Sequence, residues 1–168
     1  MSKKDELYKW LDTNIPLKDV RDFIYLVLDN TPSQFWIRAS SSSGKYHHTD
    51  EHGLEGLVIH TIRVCQVGKI LWDSTPGTDY YVVAPACALH DIEKYPAEDS
   101  IHTVFEHPQL AADLILRLGK ENNIGSTVPY EAISAAVRSH TGRWSKPLPV
   151  TKEEWLVHYA DNIATKYI

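Results

Sequence analysis

The sequence predicts an all-α fold, a single-domain helical bundle of about six to seven helices with a long polar loop before its longest helix. Three observations lead there. Apolar residues recur at steps of three and four in most stretches of the chain. The gaps between those stretches carry proline, glycine and polar residues, which break helices. Strand-like runs are nearly absent, with short ambiguous spots at residues 36–37 and 80–83.

Taken in order, residues 1–34 read as an N-terminal helical extension to a core of about residues 35–165. Val20, Phe23, Ile24, Val27 and Leu28 define a helix over 18–28. A polar stretch from Thr31 to about His52 follows and contains Ser40-Ser41-Ser42-Ser43-Gly44. Such a loop is uncommon unless it serves function or moves, so residues 40–52 are expected to form a mobile flap near a site. The longest helix is expected over 53–72, with Leu57, Val64, Val67 and Leu71 on one stripe. Residues 73–79, with Pro76 and Gly77, form a turn. The apolar stretch 80–94 should be a helix with Pro85 in its first turn and Pro96 beyond its end. Residues 103–118 are amphipathic, and Gly119 is expected to cap them. A helix over 129–140 ends at Gly142, and 143–150, with Pro147 and Pro149, is loop. Thr151 and Glu154 match a capping box that opens a last helix.

Composition narrows the function classes. Against 17 Lys and Arg stand 22 Asp and Glu, a net charge of −5. A surface that grips long duplex nucleic acid needs a basic excess, whereas a small anionic substrate needs only a local basic pocket. The cysteines, Cys65 and Cys87, fall in apolar helical patterns and are expected to be free, buried thiols in a reducing, cytoplasmic setting. No apolar run reaches the roughly 20 residues of a membrane span. The first six residues turn polar at once, which predicts no secretory signal.

Histidine is the unusual residue, with nine copies. His60 falls on the stripe of Leu57, Val64, Val67 and Leu71. Val83, Cys87, His90 and Lys94 share a stripe with Asp91 beside it. His140 lies with Ile133, Ala136 and Val137. Asp161 lies with Val157, Ala160, Ala164 and Ile168. One inward histidine is ordinarily a core residue held by a hydrogen bond. Four helices that each bury an ionisable group pose a larger problem, because such burial costs several kcal/mol unless the group is paired or ligated. A single bound metal satisfies all four. His107 is preferred over His102 as a further ligand. His47, His48 and His52 lie in the serine-rich loop. His158 shares a helix face with Asp161 and is a candidate to orient it. Lys94, Arg138, Arg143 and Lys146 make a basic rim suited to phosphate.

The order His60, His90-Asp91, Asp161 resembles the signature of the HD superfamily of metal-dependent phosphohydrolases. Gly56-Leu57-Val58-Ile59-His60-Thr61 is similar to its opening motif, and Leu89-His90-Asp91-Ile92-Glu93-Lys94 to its "LHDIGK" centre. Arg138-Ser139-His140-Thr141-Gly142 and His158-Tyr159-Ala160-Asp161-Asn162 resemble elements of the HD domain of YhaM-type 3′-to-5′ exoribonucleases. Glu93 departs from the pattern, standing where it has glycine. The resemblance implies that His60, His90, Asp91 and Asp161 hold one divalent ion, and that His107 and His140 add a second bridged by Asp91. It implies catalytic roles for Asp91, Lys94 and Arg143, with Lys94, Arg138, Arg143 and His48 on the substrate. The expected cofactor is one or two ions of manganese, iron, cobalt, nickel or zinc, with magnesium compatible. The expected substrate is a nucleotide, cyclic nucleotide or short oligonucleotide; an oligomer is compatible, and processive digestion of long RNA is not expected. A di-iron oxygenase and a non-catalytic nucleotide-binding sensor are the alternatives.

Overall fold

The computed structural model describes residues 1–43 and 45–166. Gly44 of the serine run and Ile168 of the last stripe lie outside the described residues. Among these, the chain is all-helical, with eight α-helices and no strand. The count exceeds the expected six to seven because a short helix forms inside the polar loop.

Helix α1 (Lys3–Asn14) opens with a reciprocal capping box between Ser2 and Asp5 and buries Leu7 and Leu11. Helix α2 (Lys18–Asp29) buries the five apolar residues that predict it. Helix α3 (Gln34–Ile37) takes up the first ambiguous spot and buries Phe35. A 3-10 turn at Thr49–Glu51 leads to α4 (Gly56–Asp73), the longest helix. The base of the polar loop is pinned, since the Ser40 backbone N–H donates to the Glu51 carbonyl at 3.0 Å.

Helix α5 (Tyr80–Leu89) is the centre of the molecule. Nine of its residues, all but Tyr81, are buried, as expected for a helix that is apolar all round. A fully buried Leu or Val stabilises the fold by roughly 1.5–3 kcal/mol, so this helix anchors the core. Pro85 lies inside it rather than in its first turn. The Asp79 side chain accepts the Tyr81 N–H at 2.8 Å, and that cap starts the helix at Tyr80 despite the later proline. The helix ends at Leu89, not at residue 94, and the chain turns through His90–Lys94.

Helix α6 (His107–Glu121) starts later than expected, with Pro108 in its first turn. Gly119 does not cap it. It lies within the helix where a Cβ would come within 2.3 Å of the Tyr130 ring, so its role is close packing. The chain leaves the helix through Asn123, whose φ of 51° is the left-handed conformation Gly119 was expected to supply. Helix α7 (Tyr130–Ser139) leads to the left-handed Gly142 and a 3-10 turn at Gly142–Trp144. Helix α8 (Lys152–Lys166) has half of the expected capping box. The Glu154 N–H donates to Thr151 Oγ1 at 3.2 Å, but the Glu154 carboxylate accepts from the Val150 N–H and the Ser139 hydroxyl.

Helices α4, α5, α7 and α8 pack on one another, α6 packs on α7, and α1 and α2 brace α4 and α5 from outside. The inward ends of the four central elements meet at one place. Among the described residues, no helix is long and apolar enough to cross a membrane.

Candidate metal centre

His60 comes from the first turns of α4, His90 and Asp91 from the turn after α5, His107 from the start of α6, His140 from the end of α7, and Asp161 from α8. All six meet. His90 and Asp91 are adjacent, and on a continuous helix they would diverge by about 100°. His90 keeps helical dihedrals, φ −62° and ψ −35°, and the two side chains converge at the inner edge all the same, with His90 Nε2 3.3 Å from Asp91 Oδ2.

Three of the histidines are aimed by the same local device. The Nδ1 atoms of His90, His107 and His140 lie 2.9, 2.8 and 2.7 Å from the carbonyls of Cys87, Val104 and Val137, each three residues back. A carbonyl only accepts, so each Nδ1 carries the proton and each Nε2 presents its lone pair to the centre. Nε2 of His90 is buried and has no hydrogen-bond partner among the described residues. A buried nitrogen lone pair without a partner, among carboxylates, fits a metal ligand.

Asp91 divides the cluster into two halves. Its Oδ2 lies 3.3 Å from His90 Nε2 and 3.9 Å from His60 Nε2. Its Oδ1 lies 3.0 Å from His107 Nε2 and 3.5 Å from His140 Nε2. Asp161 closes the first half, with Oδ1 3.0 Å from His60 Nε2 and 3.8 Å from His90 Nε2. The donor atoms of His60, His90 and Asp91, of His90, His140 and Asp161, and of Asp91, His107 and His140 lie close enough to share an ion. Lys94 Nζ sits 2.6 Å from Asp91 Oδ2, at the edge of the cluster.

Burial by itself would raise both carboxyls. The imidazoles of His90, His107 and His140 and the Lys94 ammonium gathered around it instead hold Asp91 well below the usual range. The His60 hydrogen bond does the same for Asp161. Burial would lower His60, but the Asp161 carboxylate at its Nε2 and the Glu51 carboxylate behind its Nδ1 raise it to about 9.

Glu51 is the residue that sequence reasoning missed. It is fully buried, accepts from His47 Nδ1 at 2.8 Å, and lies 3.4 Å from His60 Nδ1. Arg63 pairs with it and with Asp50, the latter at 2.7 Å. The carboxylate therefore backs His60 from behind, the arrangement that orients metal-bound imidazoles. A Glu inside a polar loop carries no periodic signal, so spacing could not reveal it.

Beside the cluster lies a cavity of about 460 Å³, lined by Asp91, Lys94, His107, His140 and Asp161, by Tyr46 and His47 from the polar loop, and by Thr141, Trp144, Asn162, Thr165 and Lys166. His47 lines it, and the expected His48 does not. Arg138 is also elsewhere. It pairs with Asp113 at 2.5 Å and lines a separate hollow with Pro147 and Leu148. Arg143 stacks over Trp144 at 4.8 Å, next to the lining but outside it. His158 does not orient Asp161. Its Nδ1 donates to the His140 carbonyl at 2.7 Å, and Gly142 passes so close that a Cβ there would lie 2.5 Å from the ring. It buttresses the turn that carries His140. Burial pushes Glu93 up to about 7, and it stays outside the cavity lining. His102 is exposed and outside the cluster.

Residues 57–166 match the HD domain family, which spans every member of the cluster from His60 to Asp161. The chain belongs to the HD domain family. HD domains are typically metal-dependent hydrolases, and the His/Asp cluster suits a divalent metal. Comparison with curated proteins and with solved structures gave no match.

Proposed function

We propose that this HD protein hydrolyses a phosphate ester of a nucleotide, cyclic nucleotide or short oligonucleotide. The observation that carries this reading is the division of Asp91, with one carboxylate oxygen toward His60 and His90 and the other toward His107 and His140. A carboxylate so placed suits a pair of cations. His60, His90, Asp91 and Asp161 would hold one ion, and Asp91, His107 and His140 the other. Imidazole and carboxylate donors favour manganese, iron, cobalt, nickel or zinc. When bound, such ions acidify a water molecule and neutralise phosphoryl charge.

The protein's own groups do the positioning. The Nδ1–carbonyl bonds fix three imidazole planes before any ligand arrives. Lys94 keeps its charge because Asp91 and Asp161 outweigh the effect of burial, so it offers a fixed cation to a phosphoryl oxygen. Trp144 and Tyr46 in the cavity lining offer aromatic faces to a base.

A panel of mononucleotides, cyclic nucleotides and short oligonucleotides, each with manganese, cobalt, nickel, magnesium or zinc, tests this. Phosphate-ester cleavage should appear with a transition metal, vanish with chelator and be absent in Asp91→Asn. An aerobically purified, coloured protein with about two irons and no cleavage of any ester would instead support the oxygenase reading.

A further inference from the structure

One face of α8 leads out of the cavity and is used by nothing described so far. Trp155, Tyr159, Asn162 and Lys166 are spaced by four, three and four residues, so they form one stripe along the helix. Asn162 and Lys166 line the cavity, whereas Trp155 and Tyr159 lie outside it. Eleven residues at 1.5 Å each make the stripe about 16 Å long.

Its exposed groups are aromatic or cationic. Trp155 and Tyr159 stack with centroids 5.5 Å apart, tilted by 27°, and are 37% and 48% exposed. Trp144, 53% exposed, stands at the cavity end with Lys166 Nζ 5.9 Å from its ring and Arg143 Cζ at 4.8 Å. Lys152 continues the stripe at its outer end. Of the carboxylates on α8, Glu154 is buried and Asp161 faces His60, while Glu153 lies beside Lys152 and accepts the Asp79 N–H.

We propose that this stripe is a stacking track for a single-stranded oligonucleotide, whose end lies in the cavity and whose next bases rest on Trp144, Tyr159 and Trp155. The proposal rests on the phosphate-ester reading of the cluster and narrows its substrate to a chain of several nucleotides. Exposed rings flanked by cations serve bases and phosphates together. A duplex hides its base faces within its own stack, so a single strand is the form these rings can meet. A stripe of about 16 Å exceeds several times the 3.4 Å spacing of stacked bases in one strand.

Fluorescence anisotropy of labelled hexathymidylate, with the full-length protein in chelator so that nothing is cleaved, tests the track. Hexathymidylate should bind at least tenfold more tightly than thymidine monophosphate and weaken as salt rises. Trp155→Ala and Tyr159→Ala should each weaken it about tenfold, and Trp155→Phe should restore most of the loss. Equal affinities for the two probes, or wild-type binding by folded Trp155→Ala and Tyr159→Ala proteins, would overturn the proposal. So would a dimer on gel filtration that both variants convert to monomer, which would make the stripe a contact between copies. Hexathymidylate binding, with no cleavage of it or of any ester in the nucleotide panel in any metal, would sink the phosphohydrolase reading and leave the track standing as a binding surface. Cleavage of mononucleotides without hexathymidylate binding would do the reverse.

Discussion

Glu51 stands behind His60: its Oε2 lies 3.4 Å from His60 Nδ1, while Nε2 of the same ring meets Asp161 Oδ1 at 3.0 Å. A buried carboxylate on the far side of a candidate ligand imidazole fixes its orientation and raises its basicity. Glu51→Gln should keep the shape but weaken metal binding by about 10- to 100-fold. Isothermal titration with manganese measures this, and an affinity within twofold of wild type would show that His60 is oriented without Glu51. Glu51→Ala should also lower stability, because Arg63 and His47 lose a buried partner.

His107 and His140 decide between one ion and two. Both face Asp91 Oδ1, at 3.0 and 3.5 Å. If they complete a second site, His107→Ala and His140→Ala should each lose about one ion per chain and most of the activity. Elemental analysis after manganese loading reads the stoichiometry. A fully active wild-type protein with one ion per chain would mean that these histidines serve substrate or packing instead.

Metal affinity should depend on pH through His60. Its folded-state pKa is raised from 6.5 to about 9 by Asp161 and Glu51, against the effect of burial. In the metal-free protein the charged ring therefore adds stability that is fully present below pH 6.5 and is lost as pH rises through about 9. A ligand imidazole must be neutral, so binding below pH 9 displaces that proton. Affinity should rise by about tenfold per pH unit between roughly pH 7 and 9. Titrations in buffers of different ionisation enthalpy should count about one proton released per chain, and a flat affinity across this range would contradict the assignment.

The serine run lies between two anchors. Ser40 is tied to the Glu51 carbonyl, and Tyr46 and His47 enter the cavity. Deleting Ser41–Ser43 shortens the span between them without touching the core. Turnover should change by tenfold or more while the melting temperature moves by only a few degrees. Unchanged turnover on a substrate found in the nucleotide panel would remove the loop from the catalytic account.

Much of the centre was legible because burial leaves a periodic trace. His60, His140 and Asp161 occupy apolar stripes of α4, α7 and α8, and an ionisable group on such a stripe announces itself. His107 followed from its place before Pro108 in α6. Where two local signals competed, the weaker one misled. Pro85 suggested a helix start, but the Asp79 cap six residues earlier set it at Tyr80. Gly119 suggested a helix end, but the Tyr130 ring against it makes it a packing residue.

The amino-acid sequence by itself determined the all-α class, most of the helices and the set of candidate ligands, because helical periodicity and caps are local and each ligand sits within a helix or in the turn that follows one. Only the tertiary structure decided which groups meet across the bundle. It turned His158 to the His140 carbonyl rather than to Asp161, sent Arg138 to Asp113, brought His47 rather than His48 to the cavity, and placed Glu51 behind His60. These are contacts between residues far apart in sequence or within an aperiodic loop. Their partners are chosen by the packing of α4, α5, α7 and α8, and no spacing along one segment encodes that geometry.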